Sequence, residues 1–152
     1  MNIVFEIEKQ YFEIDDQYSI NWFEAYSNGY HLKEKYWLRK RELNTHAYFL
    51  FLFTRLEDHI KTEAKKILNT KKTNITHWKS RAIWDNTDED MSFKKCLGLL
   101  TEKGATDYGK IVEYYKQRNT IAHGGTIEDI HTQIDMAIVI GKMKTYFKEL
   151  KK

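Results

Sequence analysis

Not one of the 152 residues is proline, where an average chain carries about 5%. Proline is the residue whose ring removes a backbone donor and clashes with the preceding turn of a helix. Nothing in this chain is therefore barred from an α-helix by ring chemistry. The seven glycines fall mostly where a helix would end. A hydrophobic content of 41% argues against disorder, and the length suffices to bury a core. The expected architecture is all-α: an antiparallel bundle of five to six helices forming one domain over residues 1–152.

The pattern along the chain locates those helices. Residues 2–28 mix apolar and acidic side chains and read as a helix, although IVFEIE alternates with period two and leaves a short N-terminal strand as an alternative. Asn28-Gly29 breaks this segment. A charged helix follows from His31 to about Arg41. Asn44 or Thr45 is suited to cap the next helix, which runs to about Asn69. Its apolar side carries Ala47, Leu50, Phe51, Leu56, Ile60, Ala64 and Ile67, and Phe49, Leu52 and Phe53 widen it. Residues 71–90 are polar and read as a long connection anchored by Trp78 and Trp84. Ser92 is placed to cap a helix through Leu100. Asp107 starts another, with Tyr108, Ile111, Val112, Tyr115, Asn119 and Ala122 in an i, i+3/i+4 rhythm. Thr126 and Asp129 resemble a capping box before a last helix, Ile127 to Leu150, burying Ile130, Ile134, Ala137, Ile138 and Phe147.

Composition narrows the function classes. The single cysteine, Cys96, cannot form an internal disulfide, which fits a reducing cytoplasm. The N-terminal MNIVFEIEKQ has acids among its apolar residues and no small-residue cleavage site, unlike a signal peptide. The densest apolar run, Ala47 to Phe53, is far shorter than the ~20 residues of a membrane span. A net charge of +3 is compatible with RNA, but a dedicated duplex-DNA binder would show a stronger basic face. No glycine-rich phosphate loop supports nucleoside triphosphate hydrolysis.

The octapeptide RNTIAHGG, Arg118 to Gly125, concentrates the chemistry. Arginine grips phosphate with a permanently charged fork, and histidine trades protons near neutrality. Asn119 and His123 are spaced i, i+4 and share a helix face. Arg118 lies about 100° round from Asn119 on an ideal helix. Gly124 suits the left-handed position that ends a helix. The alternative is an ordinary helix terminus with an exposed arginine and a hydrogen-bonded histidine.

This stretch resembles the signature of the HEPN superfamily, small helical domains found in many bacterial RNase toxins and defence proteins. The signature is an arginine, usually followed by a polar residue, and a histidine after four to six intervening positions. Here these are Arg118, Asn119 and His123. Family members that pair with a nucleotidyltransferase often carry a tyrosine two residues beyond the histidine; Gly125 stands there, which disfavours that subgroup. Residues 1 to about 40 carry no matching signature.

The resemblance implies a metal-independent endoribonuclease without a cofactor. His123 would serve as general base or acid, Arg118 would stabilise charge on the phosphate, and Asn119 would orient the histidine or the phosphate. One histidine cannot easily be both base and acid. A homodimer, or an assembly of dimers, would unite two motifs in one cleft. The implied setting is a toxin or anti-phage effector restrained by an antitoxin or regulatory protein. A non-catalytic all-α dimerisation or RNA-binding module of the same fold is the alternative.

Other candidates are weaker. In HEPN-like domains an acidic or polar group from an earlier helix often orients the arginine, which nominates Glu57 and Asp58; an i, i+4 pair of Glu57 with Lys61 is the competing reading. Arg55 is a lesser candidate for a phosphate contact. His59 and Glu63 have the i, i+4 spacing that can ligate zinc, but no second His or Cys pair accompanies them. His31, His46, His77 and His131 stand alone as surface or core histidines. Tyr114 and Tyr115 can stack a base or fill the core.

Overall fold

The computed structural model describes residues 3–87, 90–125 and 134–151. Six helices make up the regular structure, and no strand occurs among the described residues. They are α1 (Ile3–Ser27), α2 (His31–Asn74), α3 (Trp78–Asp85), α4 (Phe93–Leu100), α5 (Thr106–Ala122) and α6 (Met136–Glu149). The chain divides into two compact units: Met1–Phe53 with Gln117–Lys144, and Thr54–Lys116 with Thr145–Lys152.

In the first unit, α1 and the start of α2 form an antiparallel hairpin. Arg41 clasps Asp15 with two hydrogen bonds of 3.0 and 2.8 Å. The Tyr11 and Thr45 hydroxyls meet at 3.2 Å, and the Tyr18 and Trp37 rings at 5.7 Å. Positions advance along α2 as they retreat along α1, as opposed helices require. The alternating IVFEIE segment is helical, so the strand alternative fails there. Val4, Ile7 and Tyr11 are buried at i, i+3/i+4 spacing, while Phe5, which a strand would place beside Ile7, is 60% exposed. On α6, Lys144 pairs with Glu8.

The break expected at Asn44 and Thr45 does not occur. Helix α2 runs unbroken for 44 residues, about 66 Å at a rise of about 1.5 Å per residue. Asparagine and threonine favour caps but do not force one, and Thr45 spends its hydroxyl on Tyr11. The buried face also differs from the expected one. Phe49, Leu52, Phe53, Leu56, Ile60, Ala64 and Leu68 are buried, whereas Ala47 and Phe51 are exposed. The expected connection from residue 71 contains the end of α2 and the short α3. Trp78 is 65% exposed, with Lys79 Nζ 5.6 Å from its ring centroid, while Trp84 is half-buried.

The second unit holds the rest of α2 with α3, α4, most of α5 and the end of α6. His59 Nε2 meets the Leu150 carbonyl at 2.8 Å, its ring 5.3 Å from that of Phe147. Ser92 occupies the N-cap of α4, but its backbone carbonyl alone serves the helix. Cys96 is buried and its S–H points at the Met91 carbonyl; burial pushes this thiol's pKa up.

Helix α6 starts later than expected. Ile134 and Asp135 are not helical. The Asp135 carboxylate accepts from the Ala137 and Ile138 N–H groups at 3.0 and 3.2 Å, an N-cap. Met136, Val139, Ile140, Met143, Tyr146 and Leu150 are buried, Ala137 and Ile138 exposed, and Ile134 and Phe147 half-buried. The expected capping box, Ile130 and His131 lie outside the described residues.

Candidate functional site

The motif occupies the last turn and the cap of α5. Asp107 stands in the first turn, one residue inside the helix start, and accepts from the Tyr146 hydroxyl at 3.3 Å. That acceptor and burial push the Tyr146 pKa up, burial being the larger cause. Ile111 and Tyr114 are buried, and Tyr115 stacks on Phe93 at 4.4 Å. Both tyrosines thus serve packing, the alternative to base stacking.

Beyond this anchored part, Arg118 and Asn119 are half-buried and His123 is exposed. Arg118 Nη1 donates to Asn119 Oδ1 at 2.9 Å. Neighbouring residues on a helix point in different directions, so only the length of the arginine side chain closes this contact. The asparagine oxygen therefore orients the arginine. The His123 N–H closes the helix on the Asn119 carbonyl at 3.0 Å. Two further bonds end it: Gly124 N–H to the Ile121 carbonyl at 3.1 Å and Gly125 N–H to the Thr120 carbonyl at 2.8 Å. This is the Schellman arrangement. Gly124 has φ of +80°, and His123 is the C-cap.

The remaining nominees sit elsewhere. Glu57 is buried on α2 in the second unit and binds Lys61 at 2.8 Å, the i, i+4 pair; that hydrogen bond raises the Lys61 pKa. Asp58 and Arg55 are exposed. Glu63 pairs with Lys66 at 2.6 Å, and His59 Nε2 meets the Leu150 carbonyl. His31 lies 3.5 Å from Glu34, His77 is exposed before α3, and His46 is buried.

A second feature escaped the sequence. Where α1 turns into α2, a cavity of about 330 Å³ is lined by Asn21, Glu24, Tyr30, Lys33, Tyr36 and Trp37. Its signal was present as lysines and aromatics alternating at i, i+3/i+4 from Tyr30 to Lys40.

No family model, curated protein or solved structure matches this chain. Among the described residues no helix is long and apolar enough to cross a membrane.

Proposed function

We propose that the chain is a metal-independent endoribonuclease acting through Arg118, Asn119 and His123. The supporting observation is the end of α5, where a guanidinium held at 2.9 Å by its neighbour's amide lies little more than one turn before an exposed imidazole at the helix cap. One His123 takes the proton from an RNA 2′-hydroxyl as its oxygen attacks the adjacent phosphorus. The P–O5′ bond breaks, and a second imidazole returns a proton to the departing oxygen. Products carry a 2′,3′-cyclic phosphate and a 5′-hydroxyl. Arg118 stabilises the charge gathering on the phosphate. A two-fold homodimer supplies both imidazoles, and further dimers can assemble on it. The resemblance to HEPN toxins adds a cytoplasmic toxin or anti-phage role under the control of an inhibitory protein; Glu57 and Asp58 remain minor supporting candidates.

The test is cleavage of single-stranded RNA by purified protein, with His123→Ala as control. Excess EDTA should leave cutting intact, because nucleophile and proton carriers belong to substrate and side chains. A 2′-deoxy sugar 5′ to the scissile phosphate should block it. Cleavage leaving a 5′-phosphate, or surviving the deoxy sugar, means that water attacks and overturns the mechanism. No cleavage at all by the dimeric parent would favour the non-catalytic RNA-binding or dimerisation module.

A further inference from the structure

The corner between α1 and α2 has the composition of a base-binding site. At about 330 Å³ the cavity is at the small end of ligand pockets, a size suited to one heteroaromatic base. Its walls are aromatic. Trp37 is braced by Tyr18 at 5.7 Å and edge-on by Tyr36 at 5.0 Å. Tyr30 and Tyr36 are 54% and 53% exposed, so they contribute ring surface to solvent rather than to a core.

Positive charge lies on the same surface. Lys33 Nζ stands 5.1 Å from the Tyr30 ring centroid, and Lys40 Nζ 5.4 Å from that of Tyr36. The ion pairs of this stretch join His31 to Glu34, Arg39 to Glu42 and Arg41 to Asp15. Lys33 and Lys40 have no carboxylate partner among the described residues. Rings for stacking interleaved with uncompensated ammonium groups are what a single-stranded nucleic acid needs.

The α1 side of the cavity is polar and selective. Asn21 and Glu24 are i, i+3 and share a helix face. The Glu24 carboxylate is purely an acceptor. Asn21 Oδ1 faces Gln17 Nε2 at 3.5 Å, which leaves its NH₂ to donate. Guanine presents two N–H donors beside the O6 acceptor on its Watson–Crick edge, the complement of a carboxylate and an amide donor. Adenine and cytosine each place a ring-nitrogen lone pair there, which a carboxylate repels.

We propose that this corner is a subsite that stacks one unpaired guanine of single-stranded RNA, with Glu24 and Asn21 reading its edge and Lys33 and Lys40 holding flanking phosphates. The choice of RNA rests on the ribonuclease reading; the stacking surface and the edge complementarity do not depend on the motif.

The experiment uses the full chain carrying His123→Ala, so that RNA stays whole, and fluorescence anisotropy with labelled oligouridine decamers containing one central G, A or C. The G-containing decamer should bind tightest. Trp37→Ala, and separately the exposed Tyr36→Ala, should weaken it about tenfold, with circular dichroism confirming an intact fold. Glu24→Gln should erase the preference for G over A, read as the ratio of the two affinities, because loss of its negative charge tightens all decamers alike. Lys33→Ala should weaken all decamers alike and lower the salt slope by about one. Unchanged affinity in both aromatic variants, a G preference that survives Glu24→Gln, or no binding of any decamer overturns the subsite. Displacement by free GMP as effective as by the decamer reassigns the pocket to a free nucleotide and also overturns it. G-dependent binding without cleavage by the parent sinks the ribonuclease alone; cleavage with indifferent pocket variants sinks the subsite alone.

Discussion

Helices α1 and α5 end in the same turn, and the difference between the two ends explains the double glycine of the motif. At the end of α1, Gly29 has φ of +69°, and the Tyr30 and Gly29 N–H groups bond the Ala25 and Tyr26 carbonyls at 2.9 and 3.1 Å. At the end of α5, Gly124 has φ of +80°, with the equivalent bonds to Thr120 and Ile121. The residue after the positive-φ glycine is tyrosine in one case and glycine in the other. A Cβ at position 125 would lie 2.5 Å from Thr120 Cγ2 and 2.8 Å from the Thr120 carbonyl oxygen. The residue at the matching position of α1 is Ala25, which has no branch. Gly124 is thus needed for its backbone angle and Gly125 for close approach.

The cap residues differ as well. Asn28 folds its amide back onto the Glu24 carbonyl at 2.8 Å, sealing α1. His123 holds the same place on α5 and is exposed, followed by two residues without side chains. The first end sets an aromatic beside its turn, suited to binding. The second leaves an imidazole bare, suited to proton transfer.

The largest expected effect separates these roles. Arg118→Ala and His123→Ala should each lower RNA cleavage about 100-fold or more, and Asn119→Ala less, since it loosens the arginine without removing it. Asn28→Ala, at the matching cap of α1, should leave the rate per bound RNA unchanged. Single-turnover cleavage at saturating enzyme measures this. Equal loss in Asn28→Ala and His123→Ala would show that both act through the fold.

Next in size is the second glycine. Gly125→Ala forces a methyl against backbone as well as side chain, and overpacking of this kind costs about 1–3 kcal/mol. Thermal melting should fall by several degrees, at about 2–4 °C per kcal/mol for a chain of this size. Tyr30→Ala, at the equivalent place, should barely move it. If Gly125→Ala melts with the parent, the contact with Thr120 relaxes freely and the contrast between the turns disappears.

What the sequence made legible follows from which signals are local. The helix ends at Asn28-Gly29 and Gly124 were readable because a positive φ is a demand on one residue. The all-helical class was readable because nothing interrupts it. Asn44 and Thr45 misled because capping residues permit a break that only tertiary contacts decide, and here Tyr11 takes the Thr45 hydroxyl. Residues 47–53 are so uniformly apolar that periodicity alone could not choose Phe49, Leu52 and Phe53 over Leu50 and Phe51. The last helix was read from Ile134, Ala137 and Ile138, before the cap at Asp135 set a different face inward. At the candidate site, spacing puts Asn119 and His123 on one helix face, but the Arg118–Asn119 bond depends on a rotamer. The cavity at the α1–α2 corner left only its lysines and aromatics in the sequence, because its shape exists only once α2 folds back on α1.

A smaller effect tests whether the two turns are alike where they look alike. Gly29→Ala and Gly124→Ala each place a Cβ in left-handed backbone at a cost of about 1–2 kcal/mol, and neither Cβ meets a neighbour within 4 Å. The two losses, measured by urea denaturation, should agree within about 0.5 kcal/mol. A much larger loss for one would mean that its turn carries more than the backbone angle. Only the Gly124 variant should also slow cleavage, through displacement of His123.

The smallest effect concerns a buried histidine of the first unit. His46 is buried on α2; burial first, and then the Arg39 charge, lower its pKa below the usual imidazole range, against a smaller opposing pull from Glu42. The folded state therefore holds His46 neutral, and the unfolded chain takes up the proton first. The stability this contributes is present in full above the unfolded value of about 6.5 and is lost as pH falls through it toward the folded value. Melting temperature should decline gently between pH 7.5 and 5.5, and His46→Gln should flatten that decline by removing the titrating ring. Cleavage followed over the same range in His46→Gln should keep the parent's pH profile, because the proposed proton carrier is His123 and not His46. A profile that changes with His46→Gln would put the buried ring, rather than the exposed cap, in control of the reaction.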